Sequence, residues 1–198
     1  MNQSTSFTVE QFVEQFTEQR DDFPDGGRWM ELVDGELLSL DPPDGEHGTI
    51  VQNFSRELAA FLQRSESSSQ ASAYFELGLI VSRNPDTIRF PAVCCFTEGE
   101  RFSESDKIAT EASPKWVIEI ASTNQRRRDM SRRVNDYHAW GVKLVWVIDP
   151  FEKIVHTFTY RGSNKKFSEE QSLSAEPVFP EFRVRLADLF AIPKWWNG

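Results

Sequence analysis

One acidic residue stands inside a strand that is otherwise apolar. Glu119 is the single charged residue of the run WVIEIA at residues 116–121, whose composition is typical of a strand buried on both faces. An ionised carboxylate in such a strand costs several kcal/mol unless it is paired with a cation or bound to a metal ion. Two roles are therefore open for Glu119: a metal ligand or catalytic group, or one member of a structural ion pair.

A cation on the following helix is placed to meet this carboxylate. The sequence predicts a helix over residues 125–140, and one face of it carries residues at i, i+3, i+4 and i+7: Met130, Arg133, Val134 and Tyr137. Arg133 therefore lies on or near the face that returns to the sheet. Hydrolytic metal sites use such a pair, in which the carboxylate holds a divalent ion and the cation stabilises developing charge. A plain buried salt bridge between Glu119 and Arg133 fits the pattern as well.

The start of the same helix is strongly basic. Within the eight residues 126–133 there are five arginines and one acid, Asp129. The arginines are Arg126, Arg127, Arg128, Arg132 and Arg133. Arginine suits bidentate phosphate contacts, and helix N-termini offer free N–H groups to phosphate. This cluster is the best sequence candidate for contact with a DNA backbone, and a solvated, salt-bridged helix face is the alternative.

Length, composition and net charge limit the number of domains and the kind of surface that this chain can have. The chain has 198 residues, 39% of them hydrophobic, and its net charge is −9. It is long and apolar enough to bury a core, so we expect one domain over 1–198: an N-terminal helix and hairpin (7–40), a core (47–150), and a C-terminal strand and short helix (151–198). The acidic balance argues against a surface coated in basic charge and limits DNA binding to one basic face.

The sequence shows no targeting signal and no cysteine spacing that is typical of a metal site or a disulfide. Cys94 and Cys95 are neighbours without Cys-x-x-Cys spacing, which favours two small buried strand residues over a zinc site or a disulfide. The sequence shows neither a signal peptide at its start nor an apolar run of membrane-spanning length. We therefore expect a cytoplasmic protein that does not enter a membrane.

Strands alternate with helices along the chain. A capping box at Thr8 and Gln11 opens the first helix, and Asp34-Gly35 predicts a type I′ hairpin over residues 30–38. A second helix is predicted over residues 47–64. Strands are predicted over residues 74–82, 88–96, 116–121, 144–148 and 154–160, and a short helix over residues 186–190. This order indicates an α/β fold, with a mixed central sheet flanked by helices.

The motifs, taken in order, resemble the Uma-type restriction endonucleases, a bacterial branch of the PD-(D/E)XK nuclease superfamily. They cover nearly the whole chain: FTVEQF (7–12), ELVDGEL (31–37), HG (47–48), RFP (89–91), VIEIAS (117–122), YHAWGV (137–142), VWVIDP (145–150), PEF (180–182) and LADLF (186–190). The resemblance implies a restriction-endonuclease-like core and a DNA endonuclease that uses Mg²⁺ or Mn²⁺. The order of elements from residue 47 to residue 149 agrees with that core.

The resemblance also implies particular site residues. The family's first metal-binding carboxylate is the Asp of a Pro-Asp pair, its second corresponds to Glu119, and its Lys stands four residues before Tyr137. In this chain Ala92 occupies the Asp position and Arg133 the Lys position. Four further residues match ones that are usual in the family and are expected to support the site: Glu31, His47, Ser122 and Tyr137.

These departures affect the expected chemistry. Mg²⁺ needs hard oxygen ligands, alanine provides none, and a guanidinium cannot act as a base. We therefore expect poor cleavage or none, with weakened metal binding. Three readings stay open: a metal-dependent DNA endonuclease with a degraded site, an inactive nuclease-fold protein that binds nucleic acid or a protein partner, and an engineered inactive variant in which Ala92 replaces a natural Asp. Since cutting two strands suits two sites, a homodimer is one expected assembly.

Overall fold

A computed structural model describes residues 6–18, 29–64, 70–100 and 102–193. Four helices and thirteen strands lie within these residues. In chain order they are α1 (Val9–Glu18), β1 (Met30–Val33), β2 (Glu36–Ser39), α2 (Gly45–Arg64), β3 (Ser72–Phe75), β4 (Gly78–Ser82), β5 (Thr87–Arg89), β6 (Val93–Phe96), β7 (Ala109–Thr110), β8 (Trp116–Ile120), α3 (Asn124–Trp140), β9 (Leu144–Asp149), β10 (Ile154–Thr159), β11 (Lys165–Ser168), β12 (Ser172–Ala175), β13 (Phe179–Arg185) and α4 (Leu186–Phe190).

The strands form two large sheets and one small one. The central sheet has six strands in the order β11-β10-β9-β8-β6-β3, the second has five in the order β2-β1-β5-β4-β7, and β12 pairs with β13. β8 lies inside the central sheet, parallel to β9 and antiparallel to β6. The fold is therefore mixed α/β with mixed sheets flanked by helices, which confirms the fold class predicted from the sequence.

Helices and sheets cover both faces of the central sheet. On one face α2, β13 and α4 bury a cluster of aromatic rings: Phe54, Trp116, Trp146 and Phe182. On the other face α3 packs against β9 and also contacts β4 of the second sheet. Consequently α3 lies between the two large sheets, and its side chains reach strands from both. No helix in the described part of the chain is long and apolar enough to cross a membrane.

Local sequence signals are confirmed where the interactions are short-range. In the capping box of α1, Gln11 N–H donates to Thr8 Oγ1 at 3.2 Å and Thr8 N–H donates to Gln11 Oε1 at 2.9 Å. The hairpin turn has φ of 52° at Asp34 and 78° at Gly35, as a type I′ turn requires. Gly141 follows α3 with φ 114° and closes the last turn through its own N–H.

Two predicted strands differ from the structure because each is broken in the middle. Residues 74–82 divide into β3 and β4, and residues 88–96 divide into β5 and β6, so that each half enters a different sheet. The first break begins at Glu76, whose φ is 55°. Gly78 then approaches β7 so closely that a Cβ would lie 2.8 Å from the Ile108 carbonyl oxygen. The second break contains Pro91, which has no N–H to donate to a neighbouring strand.

The C-terminal region holds strands that the sequence analysis did not predict. β11 pairs with β10 at the edge of the central sheet, and β12 and β13 form their own hairpin. Pro180 obscured β13, but it lies exposed in a two-stranded sheet, where a missing N–H is tolerated. α2 begins two residues earlier than predicted because Asp44 caps it, accepting from His47 N–H at 2.9 Å. Cys94 and Cys95 are buried and free, as the sequence predicts.

Candidate active site

Glu119 and Arg133 meet in a buried contact between β8 and α3. Alternate residues of a strand share a face, and the neighbours of Glu119 on its face, Val117 and Ala121, pack into the same core as Met130 of α3. Arg133 Nε donates to Glu119 Oε1 at 2.9 Å, and Arg133 Nη2 lies 2.8 Å from the same oxygen. The structure thus brings together the two residues that the sequence pattern pairs.

Glu31 provides a second carboxylate to the same guanidinium. It lies on β1, fully buried, and its Oε2 accepts from Arg133 Nη1 at 2.6 Å and from Arg89 Nη1 at 3.1 Å. Its other oxygen accepts from the Phe90 backbone N–H at 2.8 Å. Because Glu119 belongs to the central sheet and Glu31 to the second sheet, Arg133 connects the two sheets through one side chain.

Tyr137 completes the environment of Glu119 from the next turn of α3. Its hydroxyl donates to Glu119 Oε1 and is fully buried. Burial, together with the negative charge of Glu119, raises the pKa of Tyr137 well above its ordinary value, so the hydroxyl stays protonated and continues to donate. Oε1 of Glu119 therefore accepts from both Arg133 and Tyr137.

Charge pairing keeps this buried network ionised. Burial opposes ionisation of Glu31, but the positive charges of Arg133 and Arg89 outweigh it and hold the pKa of Glu31 below its ordinary value. Burial likewise opposes the charge of Arg133, and the two carboxylates of Glu119 and Glu31 outweigh it, so the pKa of Arg133 is raised well above its ordinary value. A permanently protonated guanidinium donates and stabilises negative charge, and it cannot accept a proton.

Arg89 extends the network and was not identified as a site residue from the sequence. Its side chain is fully buried, and it donates to Asp129 Oδ2 at 2.8 Å through Nη1 and to Asp136 Oδ2 at 3.0 Å through Nη2. A signal was present, because Arg89 stands between Ile88 and Phe90 as the one charge in an apolar stretch. Glu119 in β8 shows the same pattern, a lone charged residue in an apolar stretch.

The second oxygen of Glu119 faces a different cation. Arg126 Nη1 lies 3.9 Å from Glu119 Oε2, and neither this oxygen nor Arg126 Nε has a hydrogen-bond partner among the described residues. His47 and Ser122 form a separate contact, with His47 Nδ1 3.3 Å from Ser122 Oγ. Burial and the positive charge of Arg126 lower the pKa of His47 to about 4. His47 is consequently neutral at pH 7.

Ala92 lies where the resemblance places the missing carboxylate. It directly precedes β6, in which Val93 pairs with Ile118 of β8. The next step of this antiparallel register places Ala92 beside Glu119. Ala92 is buried and offers no oxygen, so the strand next to Glu119 contributes no second carboxylate.

The residues present do not fit a divalent cation. Both oxygens of Glu119 face guanidinium groups, those of Arg133 and Arg126, which would repel a metal ion. Glu31 forms ion pairs with Arg133 and Arg89. No group of three or more His, Cys, Asp or Glu residues in the described ranges could hold a metal ion. Since Mg²⁺ binds through hard oxygen donors, the donor set at this centre is insufficient for it.

The arginines of residues 126–133 do not form one exposed basic face. Arg126 and Arg133 are buried. Arg127 donates to both carboxylate oxygens of Asp149, at 3.0 and 3.2 Å, and Arg132 lies 2.6 Å from Asp34 Oδ2. Arg128 alone of the five is exposed without an ion-pair partner in the described part of the chain. The salt-bridged alternative therefore describes most of this helix segment.

Comparison with known proteins connects this geometry to a family. Residues 13–187 match the Uma2 family model, whose description is "Putative restriction endonuclease". A solved structure described as "a putative nuclease belonging to DUF820" from Anabaena variabilis ATCC 29413 superposes with a TM-score of 0.73 at 20% sequence identity, covering 93% of this chain and 97% of that one. A search of curated proteins found no match.

The structural likeness supports the nuclease fold, and the family match spans most of the chain. It includes the strand of Glu119, the helix of Arg133 and Tyr137, and the hairpin of Glu31. By its sequence and its fold, the chain belongs to the Uma2 family of restriction-endonuclease-like proteins.

Proposed function

We propose that this chain is a nuclease-fold protein that binds nucleic acid without cleaving it. The observation that carries the proposal is the guanidinium of Arg133, which bonds to Glu119 and Glu31 at the position where the family resemblance implies a catalytic Lys beside a metal ion. The nucleic-acid ligand is inferred from the family, which is described as a restriction endonuclease.

The chemistry of the centre supports loss of hydrolysis. Metal-dependent phosphodiester hydrolysis needs a bound cation that lowers the pKa of a water molecule and stabilises charge on the phosphate. Glu119 is the one family-type metal carboxylate retained, and it is neutralised by Arg133, Arg126 and a hydrogen bond from Tyr137. The positive charge beside Glu119 is therefore supplied by arginine side chains, and these stabilise the fold.

The two departures from the family pattern both act against metal-dependent hydrolysis. Removing the Asp at position 92 takes away one negative charge and a metal ligand, and an arginine at position 133 supplies a fixed cation with more hydrogen bonds than a lysine could make. An engineered inactivation of the site would need the change at position 92 only. The paired departures favour a site that was lost as a unit over a single engineered substitution, and without two-strand cleavage the expectation of a homodimer loses its rationale.

A plasmid-cleavage assay tests the proposal. We compare the wild-type chain, Ala92→Asp, Ala92→Asp with Arg133→Lys, and Glu119→Ala, each with Mg²⁺ and with Mn²⁺. We expect no cleavage by the wild type or by Ala92→Asp, because Arg133 still neutralises the carboxylates. Cleavage is expected only for the double variant. Wild-type cleavage that disappears in Glu119→Ala would overturn the proposal.

DNA binding is measured separately, by fluorescence anisotropy of a labelled duplex in buffer without divalent metal. We expect the wild type and Glu119→Ala to bind alike, since Glu119 lies in a buried network and does not face solvent. A chain that neither cleaves nor binds would refute the nucleic-acid part of the proposal and leave the loss of hydrolysis standing.

A further inference from the structure

Three cationic side chains lie at the end of the central sheet opposite to Glu119, and a fourth lies on the neighbouring edge strand. Lys115 and Lys143 directly precede the parallel strands β8 and β9, Arg161 follows β10, and Lys166 lies on β11. We call Lys115, Lys143, Arg161 and Lys166 the strand-end surface. Along β8, Lys115 is four residues from Glu119, a separation of about 13 Å in an extended strand. The strand-end surface is therefore distinct from the buried centre.

Backbone pairing brings these residues together from distant parts of the sequence. Lys143 N–H donates to the Lys115 carbonyl at 3.0 Å, and Tyr160 N–H donates to the Lys143 carbonyl at 2.9 Å. Lys166 pairs with His156 across β10 and β11, and His156 is in register with Val147 and so with Glu119, which places Lys166 at the edge of the sheet, three strands from Glu119. Because alternate residues share a face, Lys166 and His156 lie on the same side of the sheet as Tyr160.

Tyr160 organises two of the cations. Its ring lies 4.9 Å from Lys143 Nζ and 5.1 Å from the guanidinium carbon of Arg161. Such cation–π contacts hold the side chains near the ring while their charged ends stay in water. Lys143, Arg161 and Lys166 are all exposed, and Lys115 is half-buried. Two cations are thus partly ordered before any ligand arrives, which lowers the entropic cost of binding.

Carboxylates are missing from the segments that form this surface. None of its four cations forms an ion pair with a carboxylate of the described residues, in contrast to Arg127, which is paired with Asp149. Residues 112–118, 137–148 and 153–168 contain no Asp or Glu, although the chain has 31 of them. An acidic protein thus presents unpaired cations at one end and on the adjacent edge strand of its central sheet.

We infer that the strand-end surface binds the phosphate backbone of a DNA duplex. The inference rests on the proposed function, and it locates the binding surface that the arginines of α3 do not provide. Unpaired Lys and Arg on a chain of net charge −9 match a ligand of dense negative charge. A membrane surface fits less well, because basic membrane-binding surfaces add apolar anchors, and Tyr160 is the one exposed large ring described at this edge.

The test is DNA binding by a charge-neutralised variant against a matched control. The variant carries Lys143→Gln, Arg161→Gln and Lys166→Gln. The control carries Arg56→Gln, Arg64→Gln and Arg183→Gln, three exposed cations elsewhere on the molecule, and has the same net charge. Thermal melts should show both variants folded like the wild type, since none of the six side chains is buried. Affinity for a labelled duplex is measured by anisotropy across a salt series.

Salt dependence gives the expected magnitudes. Four phosphate contacts predict that wild-type affinity falls about 150-fold between roughly 50 and 200 mM salt, because the logarithmic slope is about −0.9 per contact. Removing three contacts should reduce the slope by about 2.7 and weaken low-salt binding at least about tenfold, while the control keeps the wild-type slope.

Each outcome is decisive. Selective loss in the strand-end variant supports the inference. If that variant binds DNA like the wild type, or if the control weakens equally, the inference is overturned, while wild-type binding without cleavage leaves the proposed function intact. A wild-type chain that binds phosphatidylserine vesicles but no duplex overturns the DNA assignment both here and in the proposed function.

Discussion

Replacing Arg133 by Met tests whether the buried network stabilises the junction of the two sheets. Methionine fills a comparable volume with a flexible apolar chain, but it leaves Glu119 and Glu31 without their shared cation. Removing one partner of a buried ion pair costs about 3–5 kcal/mol, because the remaining charge is uncompensated. Glu31 keeps Arg89 at 3.1 Å, whereas Glu119 keeps a hydrogen bond from Tyr137 and only the more distant guanidinium of Arg126, at 3.9 Å. We therefore expect a loss of about 4 kcal/mol in the free energy of unfolding at pH 7.

The pH dependence separates this mechanism from simple loss of packing. In the wild type the folded pKa of Glu31 lies below its ordinary value of 4.5. Its ionic contribution is thus present above about pH 4.5 and is lost as the pH falls through the lower folded pKa. In Arg133→Met, Glu31 loses the larger of the two charge interactions that hold its pKa below the ordinary value, so its pKa rises and its protonation relieves the penalty. The stability difference between variant and wild type should narrow as the pH falls from 7 towards 4.5.

Urea denaturation at both pH values, with a double-mutant cycle, measures these terms. The cycle combines Arg133→Met with Glu119→Gln, which removes the unpaired charge. The double variant should be more stable at pH 7 than Arg133→Met alone, and the coupling energy obtained from the whole cycle should be about 0.5–3 kcal/mol, the usual range for contacting residues. A cost below about 1 kcal/mol for Arg133→Met, or a cost that does not change with pH, would refute the assignment of Arg133 as the cation of a structural network.

Three further measurements address neighbouring contacts. Tyr137→Phe removes the hydrogen bond to Glu119 and should cost about 1–3 kcal/mol in urea denaturation; an unchanged midpoint would show that Glu119 does not depend on the hydroxyl. His47, whose pKa is lowered from 6.5 to about 4, should stay neutral from pH 8 to below pH 6 in an NMR titration assigned with His47→Gln. Because the neutral form is favoured in the folded state, its contribution to stability is complete above pH 6.5 and is lost as the pH falls towards 4, and a titration midpoint near 6.5 would contradict burial beside Arg126. Asp44→Ala removes the cap of α2 and should lower the free energy of unfolding by about 1 kcal/mol, whereas Asp44→Asn should retain most of it.

The parts of the fold that were predicted correctly depend on short-range chemistry. A capping box, an Asp-Gly turn and a helix-ending glycine each act over a few residues. The local sequence is therefore enough to predict α1, the β1–β2 hairpin and the end of α3. The breaks within residues 74–82 and 88–96 were not predictable, because they result from the approach of β7 to Gly78 and from the division of strands between two sheets. Such long-range constraints leave little trace in local composition.

The residues of the candidate site likewise divide into those that local sequence predicts and those that depend on long-range contacts. Glu119 and Arg133 could be paired from the sequence because a lone charge in an apolar strand must find a partner, and helical periodicity placed one nearby. The roles of Glu31 and Arg89 depend on contacts across 58 to 102 residues of chain. The local periodicity of the sequence gives no information on contacts between residues so far apart in the chain. The resemblance to the family drew attention to Glu31, and the geometry then showed that it shares the guanidinium of Arg133.

Charge density along the chain is a poor guide to charge density on the surface of this protein. The arginines of residues 126–133 are consecutive or nearly so, but folding brings them carboxylates from other elements: Asp149 reaches Arg127, Asp34 reaches Arg132, and the buried carboxylates surround Arg133. Folding does the reverse for the strand-end surface, whose members come from three separate segments, residues 112–118, 137–148 and 153–168, that contain no acids. A ligand responds to the field that remains after pairing. For this reason we place DNA binding on cations that are scattered in the sequence and not on the arginine cluster that the sequence makes conspicuous.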